Sequence, residues 1–140
     1  MRTAAILGSI LGLLVLTGCV AKVNPEDVKY QHYLAKHVDL SSDAESMVSG
    51  IGDEFSIEDR IYVLSVANWD HELQGRSVEV RWDWYTGDEL RYTHGRDNTM
   101  KEPPYRFWGR KSGVELGKGE HKVVVFLDDE KVEELSFTVQ

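Results

Sequence analysis

The stretch Ser77-Val78-Glu79-Val80-Arg81-Trp82-Asp83-Trp84-Tyr85 alternates without a break. Val78, Val80, Trp82 and Trp84 lie on one side, and Ser77, Glu79, Arg81, Asp83 and Tyr85 on the other. Side chains along a strand point to opposite faces in turn, so this period predicts a half-buried β-strand with two indoles facing the core. Thr86-Gly87-Asp88 follows as a hairpin turn, and Glu89 to His94 as the returning strand.

Period two continues on both sides of this hairpin. Upstream, Ile61-Tyr62-Val63-Leu64-Ser65-Val66 is rich in β-formers and apolar on both faces, the pattern of a covered strand. Trp69 to Gly75 reads as the turn after it. Downstream, Gly95 to Pro104 is polar and holds Pro103-Pro104, so an exposed loop is expected. Tyr105 to Arg110 sets Tyr105, Phe107 and Gly109 against Arg106, Trp108 and Arg110. Gly113, Gly117 and Gly119 interrupt the chain before the β-branched run His121 to Leu127. Asp128 to Lys131 turns, and Val132 to Val139 closes with Leu135, Phe137 and Val139 on one face.

About six strands in residues 55–140, with no helix among them, predict a mostly β domain. An antiparallel β-sandwich lets each half-apolar sheet bury its inner face. The expected topology is immunoglobulin-like, with the Trp82/Trp84 strand central; a small closed β-barrel is the alternative. Residues 105–139 add a resemblance. Tyr105 to Ser112, Gly119 to Val123 and Phe137-Thr138-Val139 look like the end of immunoglobulin-like modules of bacterial envelope proteins, although His121 stands where those modules often carry Trp or Tyr. The resemblance implies a fold, since most such modules have no assigned activity.

Before residue 55 the signals are local. Asn24 suits a helix cap, Pro25 the first helical position, and Glu26 and Asp27 the positive end of a helix dipole. A short N-terminal helix running to about His37 is expected, with Val28, Tyr33, Leu34 and Val38 as its apolar stripe. Asp39 to Glu54 reads as a connection, with a helical turn around Ala44 to Val48.

The amino terminus sets location. Met1-Arg2-Thr3 is short and basic, and Ala4 to Leu16 carries neither charge nor proline. That run is shorter than the ~20 residues a membrane-crossing helix needs but fits the apolar core of a secretory signal. Leu16-Thr17-Gly18-Cys19 resembles the lipobox of bacterial lipoproteins. The resemblance implies a diacylglycerol thioether on Cys19, cleavage after Gly18 and acylation of the new amino group. The expected organisation is a signal peptide over 1–18, a lipidated spacer over 19–54 and a β-sandwich over 55–140. Several acyl chains would fix the mature protein stably in the bilayer. Val20, where an aspartate favours inner-membrane retention in enterobacterial lipoproteins, leans toward the outer membrane, with the domain facing the periplasm.

Removing residues 1–18, which hold one basic residue and no acid, takes the formal charge from −8 to −9. An acidic chain argues against nucleic acid, whose phosphates require basic neutralisation, and against flat adhesion to anionic lipid. Cys19 is the only cysteine, so no disulfide supports the fold.

No cofactor or metal motif is present. His32, His37, His71, His94 and His121 show no ligand spacing and read as surface residues near turns. No nucleophile elbow or phosphate loop occurs, and no catalytic set is expected. Asp83 and Asp88 are weighed as a glycosidase pair and read instead as a strand face and a turn. Trp108, sharing a face with Arg106 and Arg110, and Tyr85, sharing one with Arg81, form the candidate binding patch. Exposed aromatics among arginines suit a protein interface, and equally an ordinary surface stack. The expected partner is another envelope protein. The alternative is a glycan or small ligand held by Trp69, Trp108 and Tyr105.

Overall fold

The computed structural model describes residues 25–39 and 48–140. The Trp82/Trp84 strand, β5 (Ser77–Thr86), turns at Gly87 into β6 (Glu89–Thr99), as its alternation and turn residues predict. On the other side of β5 runs β8 (Gly119–Leu127), followed by β9 (Glu130–Val139). The two-residue β3 (Glu54–Phe55) pairs with β9 in parallel. The second sheet therefore has the order β3-β9-β8-β5-β6.

The first sheet is built on the covered strand. β4 (Arg60–Trp69) lies between β1 (Val28–Val38) and β7 (Tyr105–Ser112), with β2 (Val48–Ile51) outside β1. Its order is β2-β1-β4-β7, antiparallel throughout. The inner faces of the two sheets meet in one core that includes Leu34, Ile61, Val63, Val80, Trp82, Trp84, Phe107, Val123, Val125 and Phe137. Each of these side chains follows its strand's period-two pattern, so alternation alone selects the core.

The N-terminal helix is overturned. After a single 3-10 turn at Pro25–Asp27, residues 28–38 form β1, in register with β4 from Val28↔Trp69 to Ala35↔Tyr62. The sandwich thus takes strands from residues that the expected division placed in the spacer. The helix-start residues form one turn and no more, because the following segment gains a complete ladder against β4. Val28, Tyr30, His32 and Leu34 alternate as a strand does, and the polar histidine obscures that period. The turn expected around Ala44 to Val48 falls mainly on residues 40–47, outside the described residues.

Two further expectations change. Gly95 to Thr99 is no loop; it continues β6 through Ser77↔Thr99. Its charged, exposed residues suit an edge strand, where burial imposes no apolar pattern. Met100, just beyond, is fully buried, and its backbone bonds Arg76 and Gly75. Between β7 and β8 a four-residue helix, α1 (Gly113–Leu116), occupies the glycine-marked interruption. Ser112 and Glu115 close a reciprocal capping box at its start.

Candidate functional site

The outer face of the first sheet carries an aromatic and aliphatic row. Tyr33, Leu64 and Trp108 stand side by side on β1, β4 and β7. Rows on either side are Gln31, Val66 and Arg106, and Ala35, Tyr62 and Arg110. Leu64 is 0% exposed although it faces outward, flanked by Tyr33 and Trp108. The apolar centre of this face is thus shielded by its own aromatic neighbours, with guanidinium groups at the β7 margin. Arg110 hydrogen-bonds the Tyr62 hydroxyl and holds that phenol below its usual range, and Arg60 acts in the same direction.

Trp108, Arg106 and Arg110 are therefore brought together on β7. Arg96 of β6 joins them, its guanidinium carbon 5.9 Å from the centre of the Trp108 ring. No sequence pattern linked Arg96 to Trp108, because strand pairing and sheet stacking set their proximity. Arg81 and Tyr85 lie elsewhere. They are on the outer face of β5, in the other sheet. Arg81 sits over Phe126 at 4.2 Å and bridges Asp83 at 3.4 Å and Asp129 at 2.6 Å. Tyr85 lies under Lys122 at 4.9 Å. The five-residue patch divides into a β7 group and a β5 group, one on each outer surface.

Between the open edges of the two sheets runs a cleft of about 430 Å³. It is lined by Trp82, Trp84, His94, Arg96 and residues 108–111. His94 stacks on Trp82 with 6.0 Å between ring centres, and Lys111 reaches over the Tyr92 ring at 4.4 Å. Asp53, Glu54, Asp88 and Glu120, together with Lys122, line a separate depression where β3, β8 and β9 meet the β5–β6 turn, whereas Arg96, Arg110 and Lys111 line the cleft at the β6–β7 margin.

Trp69 is buried and meets Tyr105 edge to face at 6.3 Å. Those rings form no coplanar platform with Trp108. Asp83 is also buried. Asp88 lies in the turn after β5.

His121 is not a surface residue. It is buried, with Nε2 2.8 Å from the Gly117 carbonyl and Nδ1 3.0 Å from the Thr86 hydroxyl, and it stacks on Phe137. It fills an aromatic position in the core, which its polarity concealed in the sequence. His32 also turns inward, with Nδ1 2.8 Å from the Ser65 hydroxyl and its ring stacked on Tyr30. Burial lowers its pKa, partly offset by Glu133. Cys19 lies outside the described residues. No helix among the described residues is long and apolar enough to cross a membrane.

No protein-family model matches the chain, and no curated protein sequence matches it. Among solved structures, an immunoglobulin-like protein from Pseudomonas aeruginosa is similar with a TM-score of 0.53 at 11% identity, over 86% of this chain and 99% of its own. A β-glucosidase from Listeria innocua, in complex with glucose, overlaps 80% of this chain and 16% of its own, with a TM-score of 0.48 at 10% identity. The first likeness and the strand order agree: the chain has an immunoglobulin-like β-sandwich fold.

Proposed function

We propose that this protein is a lipid-anchored lipoprotein of the bacterial envelope whose β-sandwich binds another envelope protein through the β7 face. The observation that carries the reading is Trp108 between Arg106 and Arg110 on an edge strand, with Tyr62 and Arg96 beside it. Aromatic and arginine side chains dominate the energetics of protein interfaces, because they combine large contact area with directional hydrogen bonding. Arg106 Nε is buried without a hydrogen-bond partner among the described residues. An immunoglobulin-like sandwich supplies rigid strands on which such a face is held.

The anchor is Cys19, and the leader before it is removed; Val20 supports placement in the outer membrane with the domain in the periplasm. Two experiments test the two halves. Cys19→Ser is expected to move the protein from the membrane fraction to the soluble periplasm; unchanged fractionation and mobility overturn the anchor. A photocrosslinking residue at position 108 in living cells is expected to yield a discrete protein adduct, which Arg106→Ala with Arg110→Ala removes. No adduct from position 108, with a folded domain, overturns the binding face.

A further inference from the structure

The first sheet stops at β7. Immunoglobulin domains run A-B-E-D in one sheet and G-F-C in the other, with C′ beside C in the variable type. Matched by order, β1, β4 and β7 take the places of A, B and E, and β9, β8, β5 and β6 those of G, F, C and C′. Among the described residues, no strand takes the place of D beside β7. An edge strand of this kind presents unpaired backbone N–H and C=O groups, a template for a further strand. The cleft between β7 and β6 opens along that edge.

Charge selects the occupant. Arg96, Arg110 and Lys111 line the cleft, and none of them forms an ion pair with a carboxylate among the described residues. Glu115, the acid nearest in effect to Arg110 and Lys111, is already engaged with the Ser112 backbone and hydroxyl. Three cations without an ion-paired carboxylate, on one margin of a chain with net charge −8, favour an anionic partner. Trp82 and Trp84, both buried, close the inner wall of the cleft.

We propose that this cleft receives an extended acidic segment of a partner protein, laid along β7 in the vacant strand position with its carboxylates against Arg96, Arg110 and Lys111. The inference rests on the protein-binding reading above and narrows it to one ligand chemistry. Main-chain pairing gives the affinity and the flanking cations the selection, as in other strand-addition complexes.

The test uses the detergent-solubilised full chain and a fluorescein-labelled octapeptide of two Glu-Glu-Val-Val units, which presents carboxylates on both strand faces, read by anisotropy. Saturable binding is expected. It should weaken about tenfold or more in Arg96→Ala with Arg110→Ala, and several-fold between about 50 and 200 mM salt. A peptide of equal charge with proline at two central valines cannot donate to the ladder, and is expected to bind about tenfold more weakly. Arg96→Glu with Arg110→Glu is expected to exchange preference toward a lysine–valine peptide. Equal binding of the proline peptide overturns strand addition, leaving a polyanion surface. Displacement of the octapeptide by inorganic phosphate at matched ionic strength, or by anionic phospholipid vesicles in preference to neutral ones, overturns the peptide as ligand. Absent octapeptide binding with the position-108 adduct retained overturns this inference alone; absence of both removes the binding face as well.

Discussion

The indole of Trp82, on the second sheet, packs so closely on Gly109 of the first that a β-carbon at residue 109 would sit 3.0 Å from Cδ2 and 3.2 Å from Cγ. Trp82 is 1% exposed, and its ring must shift by a few tenths of an ångström to admit the new carbon. Gly109→Ala is expected to cost about 1–3 kcal/mol, the usual range for overfilling a packed core. Gly95→Ala, on the exposed edge strand, meets only the Val80 carbonyl at 3.9 Å and should change stability by less than about 0.5 kcal/mol. Urea denaturation of the two variants gives the comparison.

Tyr30 carries the opposite lesson. Its hydroxyl is buried without a hydrogen-bond partner among the described residues, and burial, followed by the charge of Asp128, pushes its pKa up. Deleting an unpaired buried hydroxyl removes a desolvation cost without breaking a bond. Tyr30→Phe is therefore expected to leave stability unchanged or to raise it by up to about 1 kcal/mol. A clear drop in melting temperature would show that the hydroxyl has a partner.

His32 makes stability depend on pH in a defined direction. Its folded pKa lies below the ordinary 6.5, because burial disfavours the imidazolium. The unfolded chain then binds the proton first, so this contribution is complete above 6.5 and is lost as pH falls from there toward the folded value. Asp59 and Glu115 have lowered pKa values, through hydrogen bonds from the Ser56 and Ser112 backbones respectively. Their contributions begin to fade only as pH falls into the ordinary carboxylate range, under about pH 5. Between about pH 7.5 and 5.5, wild-type protein should lose more melting temperature than His32→Gln. Equal losses would remove His32 as the cause.

The link into α1 is held by a cap and by a close approach. The Ser112 hydroxyl accepts from the Glu115 backbone at 3.1 Å, and the Glu115 carboxylate accepts from the Ser112 backbone at 2.8 Å. Ser112→Ala should cost about 1 kcal/mol. A β-carbon on Gly113 would meet the carbonyl oxygens of Ser56 and Ile57 at 2.6 Å, both backbone atoms. Gly113→Ala should therefore cost more, about 2–3 kcal/mol. The order of the two thermal midpoints checks this.

Much of the β5 region is legible in one dimension. Val78, Val80, Trp82 and Trp84 had to share a face once the segment was extended, and Gly87 had to turn it, whatever the rest of the chain did. The same holds for Phe107 and Gly109 against Arg106, Trp108 and Arg110, so the β7 part of the candidate patch follows from spacing. Composition groups Arg81 and Tyr85 with it, but carries no information about which outer surface a residue occupies.

Local order alone thus determined which residues point inward together, because a strand's side-chain alternation is a property of its own backbone. Tertiary structure decided the rest. It made Val28–Val38 a strand where capping residues favoured a helix, because the ladder with β4 outweighs one turn of local hydrogen bonding. It buried His121 and His32 against partners that neither residue's neighbours reveal. It also carried Arg96 to Trp108 and Lys111 to Tyr92, since contacts between strands distant in sequence exist only once the sheets are stacked.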